Sequence, residues 1–184
     1  MNIFFDTEFT GLHKDTTLIS IGCVDENNRT FYAELTDYDK YQINDWIQDN
    51  VINNLKLPKH GCYNYNQEHT WTNVKGNKDT VEVALRDWLY DYKDVQFVSD
   101  VSHYDMVLLI NLFGTAFDLP TNVSPSCHDI NQDIANYYGI SEREAFDKSR
   151  EDILREHNIT VNGDKHNALY DAKVIKEIYN IVKS

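Results

Sequence analysis

Disulfide chemistry has little to work with in this 184-residue chain: its three cysteines, Cys23, Cys62 and Cys127, are odd in number and far apart. That argues against a disulfide framework and fits a reducing compartment, so a cytoplasmic protein is expected. Long hydrophobic runs are missing too. No stretch approaches the roughly 18 apolar residues that a membrane span needs. The opening "MNIFFDTEF" lacks the basic start, apolar stretch and cleavage site of a secretion signal and reads better as a strand. Prolines number three and glycines seven, and nothing in their placement makes a linker. With no repeat and no low-complexity tract, one domain over residues 1–184 is expected. Positive charge is scarce: 17 Lys and Arg face 30 Asp and Glu, a net charge of −13. A protein that holds nucleic acid through a broad basic surface is thereby disfavoured. The chain also has no Gly-rich phosphate loop and no G-x-S-x-G elbow, which removes P-loop and serine-hydrolase chemistry.

What the chain does have is four acids and one histidine in three short stretches. Asp6 and Glu8 stand in "FFDTEFTGL", Asp105 in "SDVSHYDMVLL", and His166 with Asp171 in "HNALYDA". Period two puts Asp6 and Glu8 on one side of the first strand, at its exit, where they repel unless a cation lies between them. Carboxylates without thiolates favour hard, oxygen-seeking cations, Mg²⁺ or Mn²⁺. Such cations also bring positive charge to the place where a phosphate must sit, which reconciles the acidic chain with a nucleic acid substrate. A histidine beside them can act as a base toward water. His166 and Asp171, five residues apart, point about 140° apart on a single helix. They can share a site if His166 lies on the loop feeding the helix and Asp171 on its first or second turn. Asp105 is expected to open a helix, with Asp100 as a competing acid; Asp105 is the preferred ligand.

The hydrophobic pattern predicts strands at 2–5, 18–24, 30–35 and 95–100, with a fifth near 122–129. It predicts helices at 43–55, 79–92, 105–114, 128–139, 141–158 and 167–183. Ser141 and Glu144 form the signature of a capping box. Strands first and helices mixed with strands later suggest one mixed sheet flanked by helices. Segment 56–78 reads as a long loop. It holds four lysines against one glutamate, with Tyr63, Tyr65 and Trp71 interleaved, a composition suited to single-strand binding. His60, Cys62 and His69 in the same segment lack a fourth ligand at a convincing spacing for zinc.

Taken together, the three acidic stretches resemble the motifs of the DnaQ-like, or DEDD, exonucleases in their histidine subtype. The tyrosine subtype places Tyr four residues before the last aspartate, where this chain has Asn167. "DTEF", "LISIG", "FYAELTDYD" and "NDWIQDNVINNLKLP" resemble the small bacterial and phage 3′→5′ exoribonucleases of that group. The resemblance implies an α/β, ribonuclease-H-like fold with a five-stranded mixed sheet. It implies that Asp6, Glu8, Asp105 and Asp171 hold two Mg²⁺ or Mn²⁺ ions, with Asp6 shared, and that His166 is the general base. It further implies single-stranded RNA (or DNA) attacked at its 3′ end, nucleoside 5′-monophosphate as product, and a possible homodimer. Thr7, Phe9, Leu12 and Tyr104, the aromatic before the second-motif aspartate, are then expected to bind the substrate at its terminal nucleotide. The alternatives left open are a 3′→5′ DNA exonuclease or proofreading factor and a metal-dependent nucleotidase, which would release inorganic phosphate.

Overall fold

The structure is a computed structural model that describes residues 1–183. Its centre is a sheet of seven strands in the order β4-β5-β3-β2-β1-β6-β7. The strands are β1 (Asn2–Phe9), β2 (Leu18–Asp25), β3 (Thr30–Leu35), β4 (Cys62–Tyr65), β5 (Trp71–Gly76), β6 (Val95–Ser99) and β7 (Val123–Asp129). β1, β2 and β3 form an antiparallel meander; β5 pairs in parallel with β3, β6 with β1, and β7 with β6. Helices α2 (Lys78–Leu89) and α3 (Ser102–Phe113) cover one face. There Phe5, Phe31, Phe97 and Leu109 are buried with Leu85 of α2. The other face is covered by α4 (Ile130–Tyr138), α5 (Glu142–Asp147), α6 (Arg150–Glu156) and α7 (Ala168–Val182), around Phe4, Ile134, Ile153 and Ile178. A short helix α1 (Asp45–Asn50) and the single turn Ile52–Asn54 lie beside this sheet.

Seven strands replace the expected five because segment 56–78 is a hairpin, not a loop. β5 pairs with β3 in parallel, and β4 then pairs with β5 as the outer edge. Its strands carry little apolar signal: Val74 and Thr72 point into the core while the rest of the hairpin is polar or exposed. Edge strands are held by ladder hydrogen bonds, which composition does not report. Alternation also divides the aromatics of this segment. Tyr63 and Tyr65 are paired in register with Val74 and Thr72, so Trp71 projects from the opposite face of the sheet. Lys56 and Lys75 are tied to Asp164 and Glu34. The segment is therefore not one continuous basic and aromatic platform. Among the described residues no metal-type cluster includes His60, Cys62 or His69.

Other boundaries move for local reasons. The helix expected over 43–55 is reduced to α1 and one turn. That over 128–139 gives its first two residues to β7. The helix over 141–158 breaks at Lys148, which is extended, and Ser149 caps a new helix by accepting from the Asp152 N–H. The Ser141–Glu144 capping box is present. β1 runs on to Phe9, so Asp6 and Glu8 lie within a strand rather than past its end.

Candidate active site

The site exists because two parallel strands end at different heights. β6 pairs with β1 only at Asn2, Ile3 and Phe4. Beyond Phe4 the edge of β1 is uncovered, while its other edge stays paired with β2 through Phe9. Asp6 and Glu8 project from this half-covered stretch toward the face that carries α7. After β6 the chain turns into α3, which begins at Ser102, so Asp105 lies in its first turn rather than at its opening. The carboxyl group of Asp105 takes the place of a sheet partner. Its Oδ1 accepts from the Thr7 N–H at 3.2 Å and the Thr7 hydroxyl at 2.5 Å, and its Oδ2 accepts from Ser99 Oγ. A main-chain donor left over by the end of β6 is thus satisfied by a ligand candidate.

α7 completes the site. Asn167 caps it by accepting from the Tyr170 N–H, and Asp171 sits in its first turn. The helix start can lie directly on the sheet because β2 has Gly22 there. A Cβ at that position would collide with the backbone of Ala168 and Leu169. His166 precedes the cap, on a loop, with φ of +62°. The expected arrangement of a loop histidine and a first-turn aspartate is what the structure holds.

These elements bring together all five residues singled out in the three motifs. One ligand atom each from Glu8, His166 and Asp171 lie within 4.8 Å of one another, as do those from Asp6, Asp100 and Asp105. Asp6 feels the charge of all the others: burial raises its pKa well above the usual carboxylate range, and Asp105, Asp171, Glu8 and Asp100 raise it further. Burial, with Asp171 and Asp105, pushes Glu8 up to about 8. Asp171 is raised to about 7 by burial and by Asp100. Asp105, 1% exposed, is raised to about 7 by burial even though Ser99 and Thr7 hydrogen-bond to it. Like charges crowded out of water disfavour ionisation unless a cation joins them. His166 shifts the other way, lowered by burial and by Lys165, so its neutral form is favoured near pH 7.

Asp100 is the acid whose place the three motifs did not fix. Its Oδ2 accepts from Arg150 Nε at 2.9 Å, and its main-chain carbonyl accepts from Asn131 Nδ2 at 2.7 Å. Arg150 also donates to Asn131 Oδ1 and to the carbonyls of Ala145 and Lys148. The guanidinium therefore ties the α5–α6 break to the end of β6 and offsets one negative charge at the rim. Sequence reasoning missed Arg150; a lone basic residue in a helical stretch gives no signal of its target.

The acids and His166 line a cleft of about 400 Å³, with Phe9, Leu12 and Phe146 among its apolar walls. Leu12 is 75% exposed. Phe9 is stacked on Tyr104, with ring centroids 5.3 Å apart and planes 13° apart. Tyr104 is not part of the cleft lining; it supports Phe9 from behind. Thr7 lines the cleft, and its N–H and hydroxyl both serve Asp105.

Comparison with known proteins bears on the family and the fold. The sequence model of the 3'-5' exoribonuclease Rv2179c-like domain matches residues 1–182. The 3'-5' exoribonuclease Rv2179c of Mycobacterium tuberculosis is 28% identical over 132 residues, 72% of this chain and 73% of the relative. In fold, the chain resembles S. pombe Pop2p in its Mg²⁺- and Mn²⁺-bound form (TM-score 0.63, 17% identity, 100% of this chain and 82% of that one). It also resembles the nuclease domain of 3'hExo, a DEDDh family member bound to rAMP (TM-score 0.64, 15% identity, 99% and 90%).

Proposed function

The chain belongs to the family of 3'-5' exoribonuclease Rv2179c-like domains, and from that premise we propose how its cleft removes nucleotides from the 3′ end of single-stranded RNA. It is an exonuclease that hydrolyses phosphodiester bonds. The observation that carries the mechanism is the convergence of acids from β1, the end of β6, α3 and α7 around Asp6, with His166 at the edge of the group. The donor set is carboxylate oxygen with one imidazole and no thiolate, which fits Mg²⁺ or Mn²⁺. Asp6, Glu8, Asp105 and Asp171 would hold two such ions. When bound, such ions supply positive charge to the attacked phosphate and make water a stronger acid.

The remaining work falls to side chains of the cleft. His166, neutral near pH 7, takes the proton of the attacking water on a ring nitrogen. Its place on a loop beside Glu8 and Asp171 lets it pass that proton to solvent. Phe9 and Leu12 flank the cleft and pack against the terminal base; stacking on an aromatic ring such as Phe9 is worth about 1–3 kcal/mol per base. Tyr104 keeps Phe9 in plane. Thr7 and Ser99 hold the Asp105 carboxylate in one orientation. As the water oxygen bonds to phosphorus, the bond to the 3′ oxygen of the preceding nucleotide breaks and that oxygen takes a proton from solvent, so the products are a nucleoside 5′-monophosphate and a strand one nucleotide shorter with a 3′ hydroxyl. The homodimer implied by the resemblance belongs to the same proposal, and light scattering at micromolar concentration decides it.

A time course on 5′-labelled RNA and DNA of one sequence, with Mg²⁺, Mn²⁺ or EDTA, tests the whole reading. The expected result is stepwise shortening from the 3′ end, release of mononucleotides without inorganic phosphate, faster loss of RNA, and no reaction in EDTA or with Asp6→Ala. Activity that survives both EDTA and Asp6→Ala overturns it.

A further inference from the structure

His166 is gripped from outside the cleft by a segment that the catalytic motifs do not include. The indole of Trp46, on α1, stands edge-on to the imidazole, with centroids 5.1 Å apart and planes at 72°. Trp46 is 55% exposed, so core packing does not explain a tryptophan there. Two residues from the turns that follow α1 hold the chain on the N-terminal side of His166. Asn54 Nδ2 donates to the Lys165 carbonyl at 3.1 Å, and Lys56 Nζ pairs with Asp164 at 2.6 Å. On the C-terminal side, Asn167 Nδ2 donates to the Asn54 carbonyl at 3.3 Å. The grip is itself anchored. Glu34, fully buried, accepts from the N–H groups of Lys56 at 2.6 Å and Leu57 at 2.8 Å.

His166 has reason to need such support. Its φ of +62° is in the left-handed region, which a residue with a side chain holds only when its surroundings determine it. A loop histidine is otherwise free to rotate out of the cleft into water.

We propose that Trp46 is a positioning residue: its ring, with the Asn54 and Lys56 contacts to the flanking chain, holds the His166 imidazole against the Glu8–Asp171 side of the cleft. This rests on His166 being the base of the proposed reaction, and a double-mutant cycle separates the two ideas. Trp46→Ala is expected to lower kcat on short RNA about tenfold or more while KM stays within about twofold. Mn²⁺ affinity, read by calorimetry, stays unchanged. Trp46→Phe, which restores a ring edge, recovers most of the rate. In the metal-free protein, hydrogen exchange of the 165–167 amides quickens in Trp46→Ala. In a His166→Ala background, Trp46→Ala costs nothing further.

Three outcomes overturn the proposal. One is a raised KM with kcat intact, which makes Trp46 a base-stacking contact. Another is a loss of equal size in the His166→Ala background, and the third is a fall in Mn²⁺ affinity. If His166→Ala itself leaves kcat unchanged, the reading of His166 fails first, and Trp46 loses its role with it. Trp46 is exposed, so the Trp46→Ala protein is expected to fold; circular dichroism that shows otherwise shifts the test to Trp46→Phe and to Asn54→Ala.

Discussion

His166 and Asp105 are the residues where position and chemistry separate most sharply. His166→Ala removes a proton acceptor that is not among the proposed ligands. It is expected to lower kcat by about 10² to 10⁴, the usual worth of general-base help, while calorimetric Mn²⁺ affinity persists. Unchanged kcat sinks the role. Asp105 and Asp100 differ in how they are satisfied. Asp105 is buried and held by Thr7 and Ser99, facing Asp6, whereas Asp100 is already paired with Arg150 at the rim. Asp105→Asn should therefore lose at least about 10³ in kcat, about 4 kcal/mol of barrier, and Asp100→Asn should keep activity within about tenfold. The reverse order, measured under the same Mn²⁺ saturation, would exchange the two roles. The Asp6–Glu8 pair and the His166–Asp171 pair were legible in the sequence because period-two and helix-turn spacing constrain where such residues can point. Arg150 and Trp46 were not legible, since their partners lie far away in the chain and only tertiary packing brings them together.

At the level of elements, the central strands and α7 were readable from apolar periodicity, because each buries a full face. For β1 the apolar pattern predicts only residues 2–5, against the observed Asn2–Phe9. Its acidic second half looks like an exit, yet β2 continues to pair with it through Phe9. β4 and β5 escaped for the opposite reason, as strands held by ladder bonds with few apolar side chains. The break between α5 and α6 lay behind a second capping serine, Ser149, inside an otherwise helical charge pattern. Gly22 is the element-scale feature with the sharpest consequence. It lets the first turn of α7 touch β2, and Asp171 is on that turn. In Gly22→Ala the new methyl meets main chain, not a flexible side chain, so α7 must lift away from the sheet. Overpacking of this kind costs about 1–3 kcal/mol, which for a chain of this size lowers Tm by about 5 °C. Asp171 moves with the helix, so Mn²⁺ affinity and kcat should fall together. A Gly22→Ala protein with normal Mn²⁺ affinity would mean that the helix start yields without displacing Asp171.

The whole molecule carries its charge imbalance into one place. With net charge −13, burying four carboxylates around Asp6 opposes folding whenever they are ionised and no cation joins them. Glu8 near 8, and Asp105 and Asp171 near 7, lie above the values these groups have in an unfolded chain. The folded protein therefore binds more protons than the unfolded one from about pH 4 up to about pH 8. Stability is then lost as pH rises through the folded-state values. His166 contributes the opposite slope, because its folded value is lowered, but that contribution is complete once an unfolded histidine has also lost its proton, near pH 7. Between pH 7 and 8.5 the carboxylates dominate. In EDTA, Tm is expected to fall by about 5 °C over that range, equivalent to about 2 kcal/mol for a chain of this length. Millimolar Mn²⁺ at pH 8.5 should restore it, since an ion that binds only the folded state stabilises by mass action. Asp6→Asn removes a proposed ligand and should abolish most of the Mn²⁺ gain, while the EDTA slope persists, because burial and the other acids raise Glu8, Asp105 and Asp171. Scanning calorimetry of both proteins, at matched ionic strength, decides it. A wild-type Tm that is flat or rising from pH 7 to 8.5 in EDTA would mean that the acids are not held together in the way the cleft requires.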